Sequence, residues 1–158
     1  MLSKKEERFI ASARYYASLS DMYCHHGCVA VMNGVEIGNG YNSLRNYSRD
    51  KIIKNCMSCH AEICAVRNAI KRTKLDQSRM RHVKLYVVRV ANNGGFLDSR
   101  PCSQCYSQLK KWGIRNVIYS EKDCFLTLDL REDEETNCSS GFRYYQKTWM
   151  NLQEMNVK

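Results

Sequence analysis

Two short segments carry side chains whose types and spacing could do chemistry: Ser58-Cys59-His60-Ala61-Glu62 and Ser99-Arg100-Pro101-Cys102-Ser103-Gln104-Cys105. Cys102 and Cys105 are three apart, so on the first turn of a helix their sulfurs project to the same side. The unpaired N–H groups and partial positive charge of a helix N-terminus favour thiolates there. His60 can complete a set of one imidazole and two thiolates, a combination suited to zinc. Three protein ligands leave the fourth tetrahedral position to water, which separates a catalytic zinc from a closed structural one. Glu62, two residues beyond His60, is better placed to carry protons than to be a fourth ligand. Zinc lowers the pKa of a bound water to about 7, and a carboxylate beside it can take the proton and deliver it to the substrate. The chemistry is therefore hydrolytic. A lone C-x-x-C is often structural, but H-A-E followed by P-C-x-x-C, each where a helix should begin, argues for catalysis.

Those two helices need a scaffold, and the rest of the chain supplies one. Residues 3–19 place Phe9, Ile10, Ala13, Tyr16 and Ala17 on one apolar helical face. Residues 28–32 and 35–38 read as strands joined by Asn33-Gly34, a strong hairpin signal. A polar, basic loop over 43–57 leads into a helix over 59–74, whose Ala61, Cys64, Ala65 and Ala69 form a small, close-packing stripe. Residues 83–90 are a dense β-branched strand, suited to a sheet centre covered on both faces. The second ligand helix is expected from Arg100-Pro101, with the proline in its first turn, through Trp112, ending at Gly113. A strand over 114–120 and a short one over 125–130 follow, then an acidic turn at 132–135 and a final helix from about Tyr144. A tight hairpin gives antiparallel strands and helical crossovers give parallel ones, so the expectation is a three-layer α/β domain with a mixed sheet. With no repeat and no Gly/Ser- or Pro-rich linker, residues 1–158 read as one domain, its motifs within about 1–120 and a variable tail over 121–158.

A hydrophobic share of 44% with 26% charged residues excludes disorder. No run approaches the roughly 20 apolar residues of a membrane helix. Lys4, Lys5 and Arg8 are interrupted by Glu6 and Glu7 and lead into no apolar segment, so an intracellular, cytoplasmic protein is expected. Nine cysteines, an odd number with several beside histidines, read as metal ligands plus buried thiols. Cys64 and Cys124 lie in apolar runs and read as small hydrophobes. The formal charge of +9 favours an anionic partner, nucleic acid or a nucleotide phosphate.

With these residues in view, the sequence resembles the cytidine and deoxycytidylate deaminase superfamily, in particular its CMP/dCMP-type zinc-binding domain. The matching residues are Gly40-Tyr41-Asn42, His60-Ala61-Glu62, Pro101-Cys102-Ser103-Gln104-Cys105, Leu109, and Trp112 through Ser120. The resemblance implies a cytidine-deaminase-like fold, a five-stranded mixed sheet flanked by helices, with one catalytic zinc at the N-termini of two adjacent helices. It implies hydrolytic deamination, zinc-bound hydroxide attacking C4 of a cytosine ring with release of ammonia. It puts Asn42 and Ala61 on the substrate side, although Asn42 also suits a turn residue after Gly40. Sites in the family are commonly completed by a neighbouring subunit, so a homo-oligomer is expected.

The family splits by substrate, and three readings stay open. A deaminase of a free cytosine nucleotide or nucleoside is the first; Arg45, Arg49 and Lys51, in the loop after Asn42, are the nearest cations for a phosphate. A polynucleotide-editing deaminase of cytosine or adenine is the second, supported by the charge and by ten tyrosines able to stack bases. Tyr144, Tyr145 and Trp149, interleaved with Lys147, could form a stacking platform or a helix packing on the core. The third is a non-catalytic zinc module, which the presence of Glu62 and all three ligands does not favour. Cys24 and Cys28, with His25 and His26 between them, and Cys56 and Cys59 could hold a second, structural zinc if their segments meet.

Overall fold

The computed structural model describes residues 1–122 and 124–132. The tail features expected beyond Glu132, including Tyr144, Tyr145 and Trp149, lie outside the described residues.

Ser3 starts the first helix, α1 (Lys4–Ser18), through a reciprocal cap: its hydroxyl accepts from the Glu6 N–H while the Glu6 carboxylate accepts from the Ser3 N–H. The hairpin follows as β1 (His25–Met32) and β2 (Val35–Tyr41), with Asn33 and Gly34 both at positive φ in the turn. Then come α2 (Ala61–Thr73), a 3-10 turn at Met80–His82, β3 (Val83–Val90), β4 (Phe96–Leu97), α3 (Ser103–Trp112), β5 (Asn116–Ser120) and β6 (Phe125–Asp129). The sheet runs β2-β1-β3-β5-β6, and only the β3–β5 pair, joined across α3, is parallel. The sheet is mixed, as the connections require.

Each face of the sheet is covered. Val29, Val31, Tyr86, Val88 and Ile118 meet Ile10, Ala13 and Ala17 of α1. Cys28, Ala30, Leu85, Val87 and Val117 meet Ala61, Ala65, Val66 and Ala69 of α2 and Leu109 of α3. The alternation along β1 and β3 thus divides two apolar cores between two helical layers. Ala61, Ala65 and Ala69 have no exposed surface, so a single ridge of methyl groups lies against β2. Gly40 makes this approach feasible: a Cβ there would stand 2.6 Å from the Ala65 nitrogen and 2.9 Å from the Ala61 carbonyl oxygen.

Several bounds differ from the sequence expectation: β1 begins earlier, at His25, α2 later, at Ala61, and β5 later, at Asn116. Phe96 and Leu97 form a short strand pairing Arg89 and Val90 of β3, a sixth strand too short to show any alternation in sequence. The second ligand helix begins at Ser103 with Cys102 as its N-cap, so Pro101 precedes the helix and does not sit in its first turn. Gly113 does end α3 in the left-handed region, at φ 90°.

Replacing Gly40 by alanine should push the first turns of α2 off the sheet, lowering stability by about 1–3 kcal/mol. Urea unfolding measures it; an unchanged midpoint would show that α2 is not seated as tightly as the backbone distances require.

Candidate metal and catalytic site

α2 and α3 both start at the same end of the sheet, beside the C-terminal ends of β2 and β3. Their N-cap residues are His60 and Cys102, each with extended backbone, and neither side chain caps its own helix. Both side chains are therefore left to point beyond the helix end. The first-turn ladders close behind them, Cys64 N–H on His60 C=O at 3.1 Å and Tyr106 N–H on Cys102 C=O at 2.8 Å. Cys105, three residues into α3, returns its sulfur to the same point.

The Nδ1 of His60 lies 3.5 Å from Cys102 Sγ and 3.2 Å from Cys105 Sγ. A tetrahedral zinc with Zn–S near 2.3 Å and Zn–N near 2.0 Å sets its N···S edges at about 3.5 Å. The three donor atoms all lie within 4.8 Å of one another, the only such group of His, Cys, Asp or Glu among the described residues. Donor type and spacing both fit zinc. The hydrogen bond with Cys105, then that with His60, pulls the Cys102 thiol down to about 4 against the cost of burial. Cys105, bonded to Cys102 and fully buried, is pushed well up. Burial disfavours the charged His60 ring, but the Cys102 bond and the Glu62 charge outweigh it and raise the ring to about 9.

Glu62 enters the site from the first turn of α2 and is 5% exposed. Burial raises its carboxyl above the usual range, with the His60 charge opposing and the Cys102 charge reinforcing the shift. A cleft of about 280 Å³ opens beside His60 and Cys105. Its apolar lining comes from Ile52, Ile53, Met57 and Ile63, with Ser58, Gln104 and Gln108 as polar points. The loop over 43–60 is tied down at its ends by Ser43 and Cys59, which exchange backbone bonds of 2.9–3.0 Å. Midway, Asp50 reaches Arg67 of α2 at 2.7 Å.

The other sequence-selected residues fall as follows. Asn42 is buried, accepts the His26 N–H at 2.9 Å and donates to the Cys24 carbonyl at 2.5 Å. Its amide thus stitches the end of β2 to the start of β1. Ala61 is buried completely, so only its backbone can reach a ligand. Arg45, Arg49 and Lys51 are exposed on the loop. Cys24, Cys28, Cys56 and Cys59 do not gather into a metal-holding group. Cys28 faces the α2 core, Cys24 accepts from Arg89, and Cys59 pairs with Cys64. Cys64, read as a plain small hydrophobe, is drawn down to about 6 by its bond with Cys59, and Cys124 is exposed.

Two residues beside the ligands escaped the sequence reading as members of this site. His26 shares the ligand-side face of β1 with Cys28, and burial, the Arg89 guanidinium and the His60 charge hold its ring down at about 4. Arg89 is its cross-strand partner on β3, on the face of Val87 and Leu85. A signal existed: an arginine on the same strand face as Leu85 and Val87 asks for a reason.

Residues 3–121 match the family model described as the cytidine and deoxycytidylate deaminase zinc-binding region. Solved structures share the fold at low identity. The dCMP deaminase of cyanophage S-TIM5, in complex with dCMP and dUMP, is 20% identical with a TM-score of 0.54, over 75% of this chain and 82% of that one. Cytidine deaminase from Burkholderia pseudomallei is 14% identical at a TM-score of 0.58, over 82% and 94% of the two chains. A structure from a study of tRNA:A34 deaminases is 24% identical at 0.52, over 75% and 78%. No curated protein matches the chain.

The donor set holds protons that a metal must displace, on Cys105 and on the raised His60 ring. Zinc uptake at neutral pH should therefore release protons, and apparent affinity should climb from pH 6 to 9. Competition against a chromophoric chelator across that range checks it. A flat profile would place the metal elsewhere.

Proposed function

Because the chain belongs to the cytidine and deoxycytidylate deaminase zinc-binding family, we propose that it is a zinc-dependent hydrolytic deaminase of a cytosine nucleotide of the dCMP or CMP type. The observation that carries this reading is the buried Glu62 carboxyl beside a His60–Cys102–Cys105 donor set with zinc geometry. His60, Cys102 and Cys105 would hold the ion. Bound there, zinc supplies a Lewis acid that makes water a nucleophile near pH 7.

The remaining steps belong to side chains. Glu62, held above the usual carboxylate range by burial, suits a group that must both take and give a proton. Its carboxylate would take one proton from the attacking water and pass it to the ring nitrogen next to C4, then take the remaining proton of the new C4 hydroxyl and give it to the departing amine, so that ammonia leaves and C4 keeps a carbonyl oxygen. Asn42 still has one amide N–H and one oxygen lone pair beyond its two strand-binding contacts, enough to orient a base or sugar. The Ala61 backbone N–H, at the first position of α2, is a further donor on this side.

One surface feature favours a second reading. Arg45, Tyr47, Arg49 and Lys51 are exposed together on the loop that borders the cleft, cations and an aromatic ring in the combination that binds single strands. An ammonia-release screen over cytidine, CMP, dCMP, adenosine, tRNA and single-stranded DNA separates the two. Turnover of mononucleotides alone supports the first reading, and turnover of a polymer alone the second.

Glu62→Ala should keep its zinc and its fold while losing about 10²- to 10⁴-fold in turnover. Metal content and steady-state rates on the same preparation check this; near-normal turnover would remove Glu62 from the chemistry. Cys102→Ala should lose both zinc and melting temperature, because ligands on separate helices couple metal binding to folding.

A further inference from the structure

We infer that Arg89, with His26 beside it, receives an anionic oxygen group of the substrate, the terminal phosphate of a nucleoside monophosphate. The inference rests on the deaminase reading and names the residues that would receive the phosphate of its nucleotide.

Arg89 and His26 stand opposite each other on β3 and β1, on the sheet face that carries α2 and α3. They occupy the end of that face where both helices begin. His26 is close enough to His60 and Cys102 to feel the charge of each, and close enough to Arg89 to feel its cation. His60 lines the cleft together with Cys105, and its charge reaches His26.

The state of the guanidinium points to its ligand. Arg67, the other arginine drawn into the helix layer, meets the Asp50 carboxylate. Arg89 has no carboxylate among the described residues; its Nη2 donates only to the Cys24 thiol, at 3.3 Å, and its Nε is buried without a partner. Sulfur is a weak acceptor, and a planar fork of five donors suits a carboxylate or a phosphate bidentately. An inward-facing cation with a spare buried donor next to a catalytic centre is arranged for an anion that arrives with the substrate. The exposed cations of the loop differ: solvent already satisfies them. The placement also favours a monoester. A phosphodiester enters and leaves a site and needs an open groove, whereas Arg89 lies half-buried in the sheet, where only a chain end or a free nucleotide can terminate.

The test uses the zinc-loaded full chain, its R89Q and R89K variants, and two substrates differing only in the phosphate, dCMP and deoxycytidine. Wild type should prefer dCMP in kcat/KM. R89Q should shrink that preference about 10- to 100-fold, mainly through KM, with R89K between. An unchanged dCMP/deoxycytidine ratio in R89Q overturns the proposal, as does a wild type with no preference. A cytosine oligonucleotide lacking terminal phosphates separates the sources: turnover that depends on Arg89 as strongly as dCMP turnover does would assign the residue to a diester and overturn the monoester. If neither cytosine compound is turned over, the cytosine-deaminase reading fails by itself. Calorimetric binding of dUMP to the same proteins then decides the subsite, with R89Q binding weaker in support and equal binding against. Should R89Q not fold, inorganic phosphate on wild type gives the answer. Raising KM for dCMP but not for deoxycytidine supports the subsite, and equal effects on both overturn it.

Discussion

Everything in this molecule that could be chemical depends on two helix ends meeting. A zinc site with ligands 42 and 45 residues apart in sequence needs His60 and the Cys102–Cys105 pair within a few ångströms, and neither helix can reach by itself. The sheet does the positioning. β3 and β5 run parallel with α3 between them, so α3 must start where β3 ends. β2 runs antiparallel to β1, and so delivers the loop that leads into α2 to the same end. The small residues on β2 and α2 then set how deeply His60 sits.

The ligand residues also occupy the two backbone positions where a side chain is usually spent on the helix itself. An N-cap residue ordinarily satisfies an orphan N–H. His60 and Cys102 leave that work undone and project their donor atoms at the shared helix end. The positive ends of both helices then act on the same few atoms, which favours the thiolate form of the ligands and any anionic group bound near them. Local helix stability is given up for a site, a pattern expected where function overrides local preference.

Much of this was legible in the chain. H-A-E and P-C-x-x-C carry their own geometry, because i, i+3 spacing and a helix start are local properties. β3 was read to its residue limits, since a run such as Val83-Lys84-Leu85-Tyr86-Val87-Val88 has no competing helical reading. The parts that were misplaced depend on contacts distant in sequence. Pro101 suits a first-turn position, yet Cys102 with its extended backbone takes the N-cap position and the helix starts past the proline. β4 exists only because β3 offers it an edge. The thiols of Cys24, Cys28, Cys56 and Cys59 are ligands by type alone, and whether such thiols meet depends on the strand face or helix that each one joins, which no local spacing encodes. Asn42 showed two characters in sequence, and the structure gives it backbone bonds to β1 while leaving part of its amide spare.

The turn at Asn33 and Gly34 has a practical meaning. It sits at the end of the sheet opposite the ligand helices, at the far end of β1 and β2, where the backbone reverses in two residues with Val35 largely exposed. A short tag, a fluorophore or a surface-attachment point placed there would be about a full strand length from the His60–Cys102–Cys105 donor group. The hairpin is thus a natural handle: the molecule can be immobilised or observed from one pole while the donor group at the other stays open to a ligand.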